Sequence, residues 1–205
     1  MNSKTNLIIM FVDINGSTEI SFSLTDDKFA RMVQTFAQEI SIVVVGYGGY
    51  VFKYEGDAVI SLFSAGYDQS KACKNTLDCS KAVLKIIRDV INPAFRTNGL
   101  PEITVRTGLA YGDALVVLYG KNLQTSHIDI IGTSISMASK IASTAKADQI
   151  LIDELIYNSL VSSGDKDTLY DRIIFREVNL DPKKWKYPSQ FKTGNPYRVY
   201  ELLKS

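Results

Sequence analysis

An apolar strand, a helix and a hairpin follow one another within the first 63 residues, and that order restricts the folds open to this chain more than any other feature. Residues 7–12, Leu-Ile-Ile-Met-Phe-Val, form a run of the kind buried on both faces. The run ends at Asp13 and Ile14 in a small-residue stretch, Asn15-Gly16-Ser17-Thr18. Ser17 or Thr18 is placed to cap a helix that includes residues 26–45, where Phe29, Met32, Val33, Phe36, Ile40 and Val43 recur at helical spacing. Gly46-Tyr47-Gly48-Gly49 breaks that helix. Residues 48–63 then read as a hairpin, with Tyr54-Glu55-Gly56 at its turn and Asp57 just beyond. A second helix is expected over residues 68–91, turning Ala72, Leu77, Ala82, Leu84, Ile87 and Val90 inward, with Asn92-Pro93 ending or bending it.

Further along, residues 103–118 read as two strands around a glycine turn, and residues 128–132 as a short strand leading into a helix over 134–142. Residues 150–152 form a short buried strand, residues 164–195 are polar, and residues 196–202 close the chain as a strand. The pattern is α+β, a largely antiparallel sheet with helices packed on it, in a single domain over residues 1–205 with no repeat and no dividing linker.

Bulk properties narrow the partners. The 23 basic residues nearly balance the 22 acidic ones, so no electrostatic footprint of a nucleic-acid binder is present, and nucleotide is expected before nucleic acid. The longest apolar runs are far short of the ~20 residues that span a bilayer, and the first residues do not resemble a signal peptide. A cytoplasmic protein without a membrane partner is the expectation. Cys73 and Cys79, six apart in a predicted helix, do not share a face, so reduced thiols are expected.

Asp13 and Asp57 each stand where an apolar strand enters a turn. Two carboxylates on rigid elements suit a hard divalent ion such as Mg²⁺, which one or two carboxylates hold while substrate phosphates complete its shell. The glycine-bearing loop after Asp13 offers backbone N–H groups to those phosphates. The chemistry suggested is phosphoryl transfer on a nucleoside triphosphate.

Four motifs carry a resemblance: Phe-x-Asp-x-x-Gly-Ser-Thr at residues 11–18, Lys-x-x-Gly-Asp at 53–57, Arg-x-Gly-x-x-x-Gly at 106–112 and Asp-Ile-x-Gly at 129–132. In this order they resemble the class III nucleotidyl cyclase catalytic domain, and residues 197–202 are similar to its closing strand. The resemblance implies a ferredoxin-like βαββαβ core and a head-to-tail homodimer with shared active sites. It implies that Asp13, Asp57 and the Ile14 carbonyl hold two Mg²⁺ or Mn²⁺ ions per site, while Asn15, Gly16, Ser17 and Thr18 cradle the triphosphate. It also implies that Lys53 and Asp129 of the other protomer read the base, and that the product is a 3′,5′-cyclic nucleotide formed with loss of pyrophosphate.

The departures from that family are informative. Most active members carry Asn and Arg where this chain has Ser136 and Lys140. Lysine keeps the charge but lacks the bidentate fork of arginine, and a missing transition-state donor costs ~10²-fold in rate. A weakly active or inactive nucleotide-binding dimerisation module is therefore the rival function. A palm domain of the diguanylate type is more distant, since Glu55-Gly56-Asp57 stands in place of its signature.

Lys53 as donor and Asp129 as acceptor match N1 and N6 of adenine, N3 and N4 of cytosine, or, in a shifted pose, uracil. Guanylate cyclases carry Glu at the position of Lys53. Tyr50 would narrow the base pocket and favour a pyrimidine, although strict alternation puts it on the face opposite Lys53 unless a bulge intervenes. The chain is also similar in size to small pyrimidine cyclases of bacterial antiphage signalling, so UTP or CTP is the expected substrate, with ATP the alternative. His127, the one histidine, is expected to be structural or exposed, and Arg106 to pair with Glu55 or Asp129 or to meet phosphate. Lys184, Lys186 and Lys192 flank the only tryptophan, in a loop expected to be solvated.

Overall fold

The computed structural model describes residues 3–120, 126–162, 175–189 and 194–203. Lys192 lies outside them. The central strand β1 (Ser3–Ile14) pairs antiparallel with β3 (Ala58–Ser64) on one side and β4 (Val105–Tyr119) on the other. Its alternation explains the uninterrupted apolar run. Ile8, Met10, Val12 and Ile14 enter one core, Leu7, Ile9 and Phe11 the other, and neither face meets water.

A short helix α1 (Ser17–Ser23) leads into α2 (Asp26–Gly46), then β2 (Tyr50–Glu55) returns beside β3. Ser17 and Thr18 do not cap the long helix: they open α1, which starts from Gly16, and Thr25 precedes α2. Met32, Phe36, Ile40 and Val44 of α2 are buried at four-residue spacing. Burying four such side chains contributes about 6–12 kcal/mol before chain entropy. That exceeds the few tenths of a kcal/mol by which each β-branched residue near the end of α2 disfavours a helix.

Helix α3 (Gln69–Ile86) continues through a π-turn (Ile87–Ile91) into α4 (Asn92–Thr97). Asp68 caps α3, its carboxylate accepting from the Lys71 N–H at 2.9 Å. Of the residues expected inward, Ala72, Leu77 and Ile87 are buried, whereas Ala82 and Leu84 are half-buried and Val90 is exposed; Cys73, Cys79, Val83 and Ile91 are buried as well. Asn92 bends the chain as expected and fixes it: its side chain donates to the Ile103 carbonyl at 2.9 Å and accepts from the Ile103 N–H at 2.8 Å. Both cysteines are free, and burial pushes their thiols up to about 11 and about 12.

The remaining elements are β5 (His127–Ile131), α5 (Thr133–Thr144), β6 (Gln149–Asp153), α6 (Glu154–Ser162), β7 (Phe175–Glu177) and β8 (Val199–Leu202). The sheet order is β2-β3-β1-β4-β6-β8-β7, with β5 pairing the far end of β4, and the β4–β6 pair alone is parallel. The first four strands with α2 and α3 are the ferredoxin-like βαββαβ unit. Helices α2 and α3 cover one face of the sheet and α5 the other.

Residues 105–119 form one continuous strand rather than two around a glycine turn. Gly108 serves close approach: a Cβ there would lie 2.3 Å from the Ala142 nitrogen and 2.6 Å from the Ala138 oxygen, both backbone of α5. The C-terminal segment is tied down by Asp153, fully buried and pushed up to about 6 by that burial. Its carboxylate accepts from the Tyr111 and Ile156 N–H groups and from the Tyr197 hydroxyl at 2.7–2.9 Å.

Gly108→Ala is expected to cost about 1–3 kcal/mol, since the helix backbone has to move, and to lower Tm by several degrees. Gly46→Ala, with open space around its Cβ in α2, is expected to be neutral or stabilising by up to about 1 kcal/mol. Equal effects of the two in thermal unfolding would show that the Gly108 contact does not constrain the fold.

Candidate active site

The site residues gather on the α5 face of the sheet, in two groups. The first is built by register. Asp13 of β1 stands opposite Ala58 on one side and Arg106 on the other, and Gly56, at φ +61° in the two-residue turn between Glu55 and Ala58, presents Asp57 beside it. Arg106 pairs with Asp13 through a charge-assisted hydrogen bond, rather than with Glu55 or Asp129. Burial first, then the charge of Asp57 and a hydrogen bond with it, raise the proton affinity of Asp13, and Arg106 opposes the rise.

Two buried polar atoms of this group have no partner, Asp57 Oδ2 and Arg106 Nε. Crowded carboxylates with an orphaned oxygen fit a hard divalent cation, which would take up the repulsion and the lone pair together. Among the described residues no cluster of three or more Asp, Glu, His or Cys side chains exists, so an ion held here relies on these two carboxylates, backbone oxygens such as that of Ile14, and its substrate. The adjoining loop is partly engaged. Asn15 donates its N–H to the Thr104 carbonyl at 2.9 Å and its side-chain amide to the Thr104 hydroxyl at 3.3 Å. Gly16, Ser17 and Thr18 stand at the start of α1, where first-turn N–H groups lack helical partners.

The second group surrounds an open pocket of about 270 Å³ floored by Phe11, Ile60 and Ile135 and edged by Lys53, Ser136 and Lys140. Lys53 Nζ lies 3.5 Å from Asp129 Oδ1, a donor and an acceptor side by side and part exposed. Ser139 and Glu55 also line the pocket. Sequence reasoning missed Ser139, although it sits one turn from Ser136. Asp13 and Asp57 do not line it.

A β-bulge decides where Tyr50 points. Tyr50 pairs with Leu62 and Lys53 with Ile60, and the register slips between Val51 and Lys53, so Phe52 is the extra residue. Tyr50, Phe52 and Lys53 thereby share the α5 face, with Lys53 Nζ 5.3 Å from the Phe52 ring centre. Tyr50 itself is 66% exposed and lies outside the pocket. Lys140 also edges a second pocket of about 290 Å³ together with Lys184, on a turn anchored by the buried Trp185. Lys186 is exposed, and His127 is exposed on β5 opposite Tyr119.

Residues 1–180 match the family described as the adenylate and guanylate cyclase catalytic domain. The chain belongs to this family. A cytidylate cyclase of Staphylococcus aureus is 26% identical over 158 residues, covering 76% of this chain and 37% of that protein. A uridylate cyclase of Burkholderia cepacia is 26% identical over 161 residues, covering 74% of this chain and 65% of that protein. Adenylate cyclases match at the same level of identity. The chain thus spans only part of the length of these curated relatives. Among solved structures, the adenylyl cyclase CyaB of P. aeruginosa superposes with a TM-score of 0.81 at 22% identity, covering 100% of this chain and 97% of that one. No helix among the described residues is long and apolar enough to cross a membrane.

The Asp13 carboxyl is expected to titrate above the usual aspartate midpoint near ~3.9. Carbon-detected NMR of its side chain checks this. Asp57→Asn, which removes the like charge, should lower the midpoint, and Mg²⁺ should lower it in the unaltered chain by competing with the proton. A midpoint insensitive to both would separate Asp13 from Asp57 electrostatically.

Proposed function

We propose that this chain is a nucleotidyl cyclase that converts a nucleoside triphosphate to a 3′,5′-cyclic nucleotide and pyrophosphate, working as a homodimer with shared active sites. The observation that carries the reading is the division of the site. The acid pair Asp13/Asp57 and the Lys53–Asp129 pair lie on one face of one chain, yet in separate groups, the second around a pocket that the acids do not line. A second copy set head to tail brings the acids of one protomer to the pocket of the other. The β4–β5 arm offers a surface for that copy, since Leu118, Tyr119, Ile128 and Ile131 leave about half or more of their area exposed.

Asp13 and Asp57 would hold divalent ions, Mg²⁺ or Mn²⁺, which when bound would supply Lewis acidity toward the ribose 3′-hydroxyl and the departing pyrophosphate. Around them the chain's own groups bind and orient. The N–H groups of residues 16–18 hold the triphosphate, leaving Asn15 to brace the loop against Thr104. With cytosine or adenine, Lys53 donates to a ring nitrogen and Asp129 accepts from the exocyclic amine; with uracil, in a shifted pose, Lys53 donates to O4 and Asp129 accepts from the N3–H. Ser136 donates to the ribose, and Lys140 neutralises charge on the α-phosphoryl group as the O3′–P bond forms and the bond to the β-phosphate bridging oxygen breaks. Lysine in place of arginine predicts a modest turnover rate.

The substrate favoured is UTP or CTP. The bulge at Phe52 bears on this choice: it turns Tyr50 and Phe52 onto the face of Lys53 and sets the Phe52 ring 5.3 Å from Lys53 Nζ, while Tyr50 itself stays outside the pocket. ATP is the second reading, since the Lys53–Asp129 pair at 3.5 Å matches the adenine edge equally well. A nucleotide-binding module without turnover is the third, favoured by Ser136 and Lys140.

Incubating the purified chain with Mn²⁺ and each of ATP, CTP, UTP and GTP, with products resolved by mass, is expected to give a cyclic pyrimidine nucleotide. Asp57→Ala is expected to reduce the rate at least ~10²-fold. Nucleotide binding with no product from any base would replace the cyclase reading by the binding module. Shared sites are tested by mixing Asp57→Ala with Lys53→Ala protein, each expected to be inactive. Random exchange gives one intact site in half of the dimers, so about a quarter of the wild-type rate should return. Heterodimers without any recovery would contradict a site built across the interface.

A further inference from the structure

A cleft of about 650 Å³ opens on the other side of the sheet, lined by residues that pack with the α2/α3 core. One wall is the end of α3 and the π-turn, where Lys81, Lys85 and Arg88 stand at i, i+4 and i+7 and so share a helix face with Leu84 between them. Residues 146–150, which carry Lys146 toward β6, form the opposite wall, and Leu84, Ile150 and Leu202 form an apolar floor. The acids at the cleft are only partly committed elsewhere: Asp148 and Glu201 both line it, and Glu201 interacts with Lys146 as well as with Arg176. Asp148 accepts from the Val105 N–H at 3.2 Å, and Glu201 accepts from the Arg176 guanidinium at 2.5 and 3.2 Å. Arg88 is held by Asp89 at 2.7 Å, whereas the exposed Lys85 and Lys146 make no ion pair among the described residues.

We propose that this cleft binds a small phosphorylated molecule with a flat apolar body, its phosphate between Lys85 and Lys146 and its body on Leu84, Ile150 and Leu202. Ammonium groups lining opposite walls of one cleft match a dianion better than a single carboxylate, because a monoanion leaves positive charge unmatched. The volume falls in the ~300–1,000 Å³ range of small-molecule sites, and cations over an apolar floor call for an amphipathic ligand rather than a bare ion. The π-turn in the wall is a helix irregularity of the kind concentrated at functional sites. The segment carrying Lys146 also joins α5 to β6, and Asp148 exchanges two hydrogen bonds with Val105, the neighbour of Arg106, at 2.7 and 3.2 Å. The cleft is therefore linked through these hydrogen bonds to the neighbour of Arg106 and shares no lining side chain with the candidate active-site pocket.

The test is an amide NMR titration of the purified full chain with phenyl phosphate, inorganic phosphate and benzoate, in EDTA so that no divalent ion draws phosphate to Asp13 and Asp57. Phenyl phosphate is expected to bind tightest, to shift amides near residues 84–88, 146–150 and 202, and to weaken with added salt. A Lys85→Glu/Lys146→Glu double variant should lose at least ~10-fold in its affinity while its spectrum stays dispersed. Shifts confined to the Ser136 and Lys140 region, affinity unchanged in the variant, or no saturation up to roughly 10 mM of phenyl phosphate would each overturn the proposal. None of these readouts depends on turnover, so failure here leaves the cyclase reading to its own test.

Discussion

The approach of α5 to the glycine-bearing stretch of β4 is the contact on which the rest of the site depends. Because the Gly108 Cα carries no side chain, the backbone of α5 at Ala138 and Ala142 lies directly on the sheet. On the same helix Ser136, Ser139 and Lys140, all exposed, line the open pocket beside Phe11 and Ile60. A helix lifted by even one methyl group would widen the pocket at the place where Lys53 faces Lys140. Packing of this tightness is specific because interiors close-packed like crystals transmit a small displacement instead of absorbing it.

Electrostatics impose the second constraint. Asp13 and Asp57 sit together at a cost, visible in the raised proton affinity of Asp13, and Arg106 relieves only part of it. A fold that gained nothing from the pair would be more stable with one carboxylate removed, as for other crowded charges with little compensation. The orphaned Asp57 oxygen and Arg106 nitrogen point the same way. Both are left with unmet hydrogen-bonding capacity in a group whose natural complement is a cation and an anionic oxygen, which are what a metal-bound triphosphate brings.

Much of this was legible in the sequence, and the failures share a cause. The βαββα order, the apolar faces of β1 and α2 and the positions of Asp13, Asp57, Lys53 and Asp129 followed from periodicity and ordered motifs. Gly108 and Gly112 were mistaken for a turn because a glycine that admits a neighbouring helix looks, in one dimension, like a glycine that bends the chain. Val90 faces water and Ile91 the core because a π-turn over residues 87–91 shifts the helical phase there, which the spacing of apolar residues does not announce. The bulge at Phe52 left no mark in composition, yet it sets whether Tyr50 shares a face with Lys53. Arg106 pairs with Asp13 and not with Glu55 or Asp129, the two acids considered for it, because its partner is fixed by cross-strand register, which no local pattern encodes.

The C-terminal segment shows how a locally unpatterned stretch is still placed with precision. Trp185 is buried and donates from Nε1 to the Tyr197 carbonyl at 2.8 Å, and the Tyr197 hydroxyl reaches Asp153 at 2.7 Å in the centre of the fold. Asp153 in turn binds β4 and the start of α6, so the segment is anchored to the same strand that receives α5. This chain of contacts carries the turn over Asp181 and Lys184 to the flank of Lys140. Two ammonium groups near one groove repel each other until an anion arrives, which lowers the relative cost of binding that anion. Lys140 lacks the fork of an arginine, but it does not stand alone in the field that an anion in this groove would meet.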